Sequence, residues 1–465
     1  MFRTLLKREL LHNLYSLRFL VSLVLLLAVF AAGAVSFVRS QAAALEKYRE
    51  IREDYLETTR ALAGQNATRL AVGHQTFTLR PRPNAFIADA KERYLPNAIV
   101  YSAWGVFSFE NRSGSANPFL KSFDELSWTF ITALVVSFIA LLFTFDGVSG
   151  EKETKTLALS LANPVSRGTL LAAKLTSAVL SVMAMVLAGV LTGLIIVVAL
   201  GPEGIPAALA GEALGYLVAA GLLAATFAAF GLLASVISRR SNVSLLLALS
   251  FWLVFAVVIP NSSTLVAKSL FPIAGSETVE KNVRAAFDDL NKNAPAGSWM
   301  MNSGNPFLPQ HELRANLQMK RLAAEKGIRG AYIQSMFRQF ERTRLVGALS
   351  PVALFEDLAE AVTGGGYLRF RKAWQDMHVY QEQFLSFFKA VDAADKSSPH
   401  WFNPNEDVST TRKPVAFESV PQFEERPLSF ADRAVPALKY LLINVFVLST
   451  VYVLAFVLFI RYDAR

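Results

Sequence analysis

The residue types that enzymes use for catalysis are present in this sequence, but not in the spacing that catalysis requires. No GxxxxGK[ST] loop occurs, so the chain cannot bind ATP phosphates by that route. Gly147-Val148-Ser149-Gly150-Glu151 departs from the GxSxG motif of serine hydrolases at its last position. The histidines form no HExxH zinc pair, and there are no cysteines to act as nucleophiles or metal ligands. The sequence therefore predicts a chain that is not an enzyme and holds no cofactor or metal of its own.

The most informative charged residues lie in one segment, Phe143 to Lys174, between two apolar runs. After Asp146 comes a charged stretch from Glu151 to Lys155, and then an apolar run with three alternate leucines. One interpretation is a compact helix held between two membrane spans, which carries force from a soluble partner into the membrane. The other is a solvated loop with the ordinary positive charge of a cytoplasmic connection. The residues alone favour neither.

The apolar runs indicate an integral membrane protein. Of the residues, 53% are hydrophobic and 18% are charged, whereas a soluble chain carries about 25% charged residues. Six runs reach the roughly 20 residues that cross a bilayer as a helix: residues 19–38, 124–146, 171–200, 212–238, 243–260 and 437–460. Charged residues lie only at the ends of these runs, whereas ion-coupled transporters usually bury carboxylates or histidines near mid-bilayer. We therefore predict an α-helical polytopic membrane protein with six spans, driven by energy from elsewhere.

The first run has a competing interpretation as a cleaved signal peptide, with Ala42-Ala43-Ala44 as the cleavage region. The apolar core of a signal peptide is roughly 7–15 residues long, whereas this run is about 20. The length therefore favours a membrane span.

Residues 1–18, ahead of the first run, have apolar residues at helical spacing. Arg3, Lys7 and Arg8 fall largely on the opposite side. This pattern predicts an amphipathic helix in the membrane interface, in contact with lipid. A simple cytoplasmic extension of the first span is the alternative.

Basic residues predict which ends of the spans face the cytoplasm. Lysines and arginines collect at the N-terminus, after the second run, at Arg239-Arg240 and in the tail 461–465. With six spans these positions all lie on one side, which the positive-inside rule assigns to the cytoplasm. Residues 39–123 and 261–436 are then extracytoplasmic. Much of the net charge of +9 lies beside the spans, so it does not require a nucleic-acid partner. We expect a multi-pass protein of a bacterial inner membrane.

The two long segments differ in pattern. Residues 39–123 begin with a helical stripe that extends the first span outward, and continue with prolines and short alternating runs, which predict a small mixed domain. Residues 261–436 have apolar stripes at i, i+4 spacing and predict a larger, mainly helical domain. Within it, Ser350-Pro351 predicts a helix start and Gly364-Gly365-Gly366 its end. We expect this domain to bind an extracytoplasmic partner or substrate.

The segment from Asp146 to Lys174 carries a family resemblance. It reads D-x-x-S-G-E-K-E, then T-L-x-L-x-L-x-x-P-V-x-R, then L-L-x-x-K, and resembles the first cytoplasmic loop of ABC-2 type permeases. It departs from the family at Lys155, where the family usually has glycine. Three further motifs look like the branch with large outer inserts, which resembles permeases linked to gliding motility and to nitrous oxide reductase maturation: Arg82-Pro83-Asn84, Leu95-Pro96-Asn97-Ala98 and Asn117-Pro118-Phe119.

The resemblance implies a partner and a site. In the family this loop forms a coupling helix in a groove of a separate ABC ATPase, which would place that helix in residues 147–170. By similarity the coupling residues would be Asp146, Glu151, Lys152, Glu153 and Arg167, with Glu151, Glu153 and Arg167 facing the ATPase. Residues 1–18, with Arg3, Lys7 and Arg8, would form the elbow helix of the family. ATP and Mg would be bound by the ATPase, and a second permease, identical or a sister chain, would complete the complex.

The function expected from these features is export or extraction of a substrate, driven by the separate ATPase. A mechanotransmission subunit, which relays ATPase motion to extracytoplasmic partners without moving a solute, is an alternative. A membrane-anchored assembly or receptor protein is another, and it ranks last because it has no use for the motif between Asp146 and Lys174. The sequence does not identify the substrate.

Overall fold

The computed structural model describes residues 2–89, 92, 95–110, 126–162, 165–202, 209–299, 305, 307–406 and 409–462. Several sequence features lie outside these residues: Asn117-Pro118-Phe119, Asn163-Pro164, the start of the predicted second span and the end of the predicted tail. Most of the described residues are helical.

The chain begins with three helices, α1 (Phe2–Leu14), α2 (Leu17–Gln65) and α3 (Ala67–Val72). Helix α2 starts where the Ser16 hydroxyl accepts the Phe19 N–H at 3.2 Å, an N-cap. It contains the predicted first span and continues past it, as the helical stripe after that span indicates. At 1.5 Å per residue the helix is roughly 73 Å long.

A three-stranded antiparallel sheet follows, with β1 (Gln75–Thr78), β2 (Ala98–Ser102) and β3 (Gly105–Glu110) in that order. Six helices come next: α4 (Trp128–Leu142), α5 (Ser149–Glu153), α6 (Thr156–Ala162), α7 (Arg167–Leu200), α8 (Leu209–Ile237) and α9 (Ser241–Leu270). The last five are α10 (Ser276–Lys292), α11 (Pro309–Gly347), α12 (Pro351–Thr363), α13 (Gly366–Ala393) and α14 (Phe430–Arg461).

Five of the described helices are long and apolar enough to cross a membrane: α2, α7, α8, α9 and α14. Helix α4 is apolar but shorter. The chain is thus a helical, multi-pass membrane protein. Helix α8 lies at the centre of the bundle, because 72% of its most apolar stretch is buried, compared with 17–33% in the other four. Helix α9 continues past residue 260, where the sequence predicts the end of the fifth span.

The two long segments between spans fold together. Residues of α3 and the sheet share one hydrophobic core with residues of α13, and its members include Leu70, Tyr101, Trp104, Phe384 and Phe388. We call the body built by the described residues of 66–110, 271–349 and 365–429, with the last turns of α2, the head. A chain of tyrosine hydroxyls joins its parts, because Tyr101 lies 2.7 Å from Tyr55 on α2 and 3.3 Å from Tyr380 on α13. Burial raises the pKa of Tyr101 well above its usual value.

Helix α12 packs among the spans, although it belongs to the segment predicted as extracytoplasmic. Its residues Val352, Leu354, Phe355 and Leu358 lie in the same core cluster as residues of α8 and α14. As the sequence predicts, the Ser350 hydroxyl accepts the Ala353 N–H at the start of α12, and the helix ends at Gly364 with φ +65°.

Polar contacts join the head to the bundle where α12 ends. The Arg82 guanidinium lies 2.8 Å from the Glu92 carboxylate, and the side chain is only 8% exposed. The Asn84 amide donates to Glu212 on α8 at 2.7 Å and to the Thr363 carbonyl at 3.1 Å. Arg433 on α14 donates to the same Glu212 carboxylate at 3.0 Å. The head is therefore bonded to α8 and to the carbonyl end of α12 at one point, where Arg433 also joins α14 to α8.

A side chain at position 365 would displace the Arg82 guanidinium, which is buried and bonded to Glu92, Asn84 and the Ala88 carbonyl. A Cβ on Gly365 would overlap the guanidinium. We expect Gly365→Ala to lower the free energy of unfolding by about 1–3 kcal/mol, the usual cost of overpacking, measured by thermal or denaturant unfolding in detergent. The matched control is Gly211→Ala on α8, where the added Cβ meets nothing within 4 Å. Equal stability of the two variants would contradict this packing.

Candidate functional site

The segment singled out by the sequence forms two short helices beside the ends of the spans. The chain leaves α4 in a turn, forms α5, turns again at Thr154-Lys155 and forms α6. The start of α5 is fixed to α8, because the backbone N–H groups of Val148 and Ser149 both donate to the Ser235 hydroxyl at 2.8 Å. We call this end of the bundle the near end, and the end that carries the head the far end.

Lys174 on α7 binds two other helices at the near end. Its ammonium group lies 2.7 Å from a Glu151 oxygen on α5 and 3.3 Å from a Glu9 oxygen on α1. The side chain is 8% exposed, and a buried ammonium group requires such partners to offset its lost hydration. Glu151 therefore has a cationic partner within the chain, and the ATPase-facing role inferred from the resemblance stays a prediction.

Three other charged residues hold the ends of spans. The Lys152 ammonium donates to the carbonyls of Val236 at 2.5 Å and Ser238 at 3.0 Å, where α8 ends. The Glu153 carboxylate accepts the Ser241 backbone N–H at 3.1 Å, where α9 begins. Arg167 donates to carbonyls at the end of α14, at 2.7 Å for Ile460 and for Tyr462. Helix ends leave such backbone groups without intrahelical partners, so these charges satisfy them.

Two of these charged groups have shifted pKa values. Burial, with a contribution from Arg239, lowers the pKa of Lys152 to about 8. The hydrogen bond from the Ser241 backbone N–H holds the pKa of Glu153 below its usual value. At neutral pH the lysine is thus still mostly protonated, and the carboxylate is ionised. Both groups keep the charge that their helix ends favour.

The structure brings all five predicted coupling residues to the near end. Asp146 pairs with Arg18 at 2.7 Å at the start of α2, and the other four lie in the contacts described above. Helix α1 lies against α7, where the Asn13 amide donates to the Ser177 hydroxyl at 3.4 Å. The predicted interfacial residues Arg3, Lys7 and Arg8 are exposed.

Sequence reasoning from charge missed one residue of this site, Leu159. In α6, Leu157 is 3% exposed and packs into the core of the bundle, whereas Leu159 is 70% exposed. The available signal was the alternation of leucines in T-L-x-L, since side chains two positions apart on a helix do not share a face. Helix α6 is therefore anchored by one leucine and exposes the next.

The turn before α6 requires a left-handed backbone at Lys155, with φ +58°. This is the position where the resembled family usually has glycine. A non-glycine residue pays roughly 1–2 kcal/mol in this conformation, and glycine loses more entropy on folding. We expect Lys155→Gly to be more stable than Lys155→Ala by about 1 kcal/mol, measured by denaturant unfolding. Both variants remove the exposed charge, so the reverse order of stability would contradict the left-handed turn.

Comparison with known proteins supports the resemblance over almost the whole chain. Residues 3–464 match the family model of the ABC-2 family transporter protein. No curated protein matches the sequence. The match covers α1, all the apolar helices, the near-end loop and the head, so the chain belongs to the ABC-2 family and is a permease component of an ABC transporter.

Proposed function

We propose that this chain is the membrane subunit of an exporter or extractor in which a separate ATPase drives movement of the span bundle. Membership of the ABC-2 permease family implies an ABC ATPase partner. The observation that carries the coupling proposal is α6, which exposes Leu159 from a loop bonded to the ends of the spans. An exposed leucine of this kind suits a docking contact, because burying it contributes about 1.5–3 kcal/mol.

The bonding of the loop supports a force-transmitting role. Helix α5 contacts α7 through Glu151 and Lys174, α8 through Lys152, and the start of α9 through Glu153. A displacement of α5 and α6 by the ATPase would therefore move three spans together. The coupling residues act mainly by holding the loop to the spans, and α6 provides the contact surface.

The contacts at the near end support six crossings with both termini in the cytoplasm. The start of α2, the α4–α7 connection, the α8–α9 turn and the end of α14 all meet there. Helix α4 completes the sixth crossing, although its 15 residues give only roughly 22 Å. The following turn is buried, with Thr144 and Val148 at 1% exposed, and irregular backbone is tolerated at membrane depth where protein covers it.

The rest of the complex follows from the resemblance. Two such permeases, identical or sister chains, would pair with two ATPases at a bacterial inner membrane. The ATPases would bind the ATP and Mg. The head would face outward and bind an extracytoplasmic partner or the substrate. The Arg82-Pro83-Asn84 motif, which resembles the branch with large outer inserts, supplies the contacts that fix the head to the spans.

The proposed topology is testable with single cysteines, since the chain has none. Lys396 in the head and Asn242 at the start of α9 are both exposed. We expect Lys396→Cys to react with a membrane-impermeant maleimide in intact spheroplasts, and Asn242→Cys to react only after permeabilisation. Labelling of both from outside would exclude six crossings.

The proposed coupling surface is testable by placing a negative charge at position 159. We expect Leu159→Asp to reduce copurification of the ATPase at least about 10-fold, because each 1.4 kcal/mol of lost contact is a factor of ten in affinity. Val379→Asp is the matched control, since Val379 is 56% exposed in the head. A variant at Glu151 is less suitable, because it also breaks the contact with Lys174. If Leu159→Asp retains the ATPase as well as the control does, α6 is not the docking element.

A further inference from the structure

Two spans contain π-helical turns that lie at the same level of the bundle. One is Thr132–Val136 in α4, and the other is Leu253–Val258 in α9. The residues beside them are in contact: the Trp252 indole N–H donates to the Ser137 hydroxyl at 3.0 Å, and the rings of Phe138 and Trp252 are 5.4 Å apart. Single π-helical turns are rare and often mark functional positions.

In α9 the π turn is followed by Pro260, which has no N–H to donate. With π-helical spacing, residue 260 would donate to the Phe255 carbonyl. That carbonyl accepts the Ser350 hydroxyl instead, at 2.5 Å. The same hydroxyl accepts the Ala353 N–H at the start of α12. A side chain from another helix thus replaces a bond that the span cannot make for itself.

Hydroxyl groups also supplement the backbone bonds at the π turn of α4. The Ser137 hydroxyl donates to the Ala133 carbonyl at 2.5 Å. The Tyr216 hydroxyl on α8 lies 2.5 Å from the Thr132 hydroxyl and donates to the Trp128 carbonyl at 3.0 Å. Side-chain bonds of this kind can break and re-form without unfolding the helix, whereas a continuous α-helical ladder resists bending.

The two halves of α9 belong to different parts of the molecule. The near half is bonded to the coupling loop, through Glu153 to the Ser241 N–H and from the Ser244 hydroxyl to the Phe145 carbonyl at 2.5 Å. The far half packs on α11 of the head, and Gln339 of α11 donates to the Phe271 carbonyl at 2.7 Å just beyond it. The π turn and Pro260 lie between these halves.

We propose that residues 253–260 of α9 and the neighbouring π turn of α4 form a hinge. At this hinge the near half of the bundle bends against the far half and the head. Sharp bends in helices occur at prolines and π turns, and hinges are usually a few residues between rigid bodies. The Ser350–Phe255 hydrogen bond holds the straighter state. The proposal rests on the proposed function, since the coupling loop is what moves the near half.

The experiment measures bending in the assembled complex. Spin labels on cysteines at Leu246 in the near half of α9 and Val379 in the head, both exposed, report their separation in nanodiscs with and without a non-hydrolysable ATP analogue. We expect a nucleotide-dependent change in separation in the wild-type background. Pro260→Ala restores the N–H, so it should at least halve this change while raising the thermal unfolding temperature. If Pro260 had only a structural role, its replacement by alanine would not both raise the unfolding temperature and reduce the change in separation.

Two matched variants complete the test. Pro436→Ala changes another proline inside a span, one without a π turn, and should leave the change in separation intact. A disulfide between Ser263→Cys and Gly347→Cys, closed before labelling, should also leave it intact, because it joins the far half of α9 to α11 beyond the hinge. The two Cβ positions are 3.9 Å apart, within the usual disulfide range of about 3.5–4.5 Å.

The outcomes separate the hinge from the function on which it rests. A full nucleotide-dependent change in Pro260→Ala, or its loss in the disulfide variant, would overturn the hinge. A lower unfolding temperature in Pro260→Ala would overturn it too, because the proline would then stabilise the resting structure. Failure of the wild-type chain to copurify with an ATPase would instead contradict the proposed coupling function.

Discussion

Backbone groups at the ends of helices have no intrahelical partners, and this constraint explains the polar contacts at both ends of the bundle. Lys152 and Arg167 satisfy carbonyls where α8 and α14 end, and Glu153 satisfies an N–H where α9 begins. At the far end, Asn84 and Arg433 donate to the last carbonyls of α12. The charged residues of the loop are thus structural parts of the bundle as well as candidates for coupling.

The two ends of the bundle satisfy this constraint with different kinds of partner. At the near end the partners are charges on one short loop, so the loop cannot move without the spans. At the far end they come from segments distant in sequence, and they join the head to α8 and α12, and α14 to α8, at one place. Between these ends the π turns are satisfied by hydroxyl groups, which bind more weakly than the charged groups. The strongest hydrogen bonds of the bundle therefore lie at its two ends, and weaker ones, which exchange more easily, lie in the middle.

The parts of this arrangement that sequence could predict are those with a local signal. The apolar runs predicted the long membrane helices, and Ser350 and Gly364 predicted the bounds of α12. Lys155, where the family usually has glycine, lies in a left-handed turn. Contacts between distant residues leave no periodic pattern. Arg82 and Thr363 are 281 residues apart, and the inward contact of Glu151 depends on how α5 packs on α7. Helix α12 is too short to be recognised as part of the bundle, since its 13 residues resemble any core helix.

The head has a shared core, and this has a consequence for how the chain is made. Thr68, next to the sheet, bonds to Thr411, which is 343 residues later. At a synthesis rate of about 5–20 residues per second, the second partner emerges roughly 17–70 s after the first. During that interval Tyr101 and Trp104 have no aromatic partners from α13 to cover them. The early half of the head is therefore left with an open apolar face until the late half is synthesised.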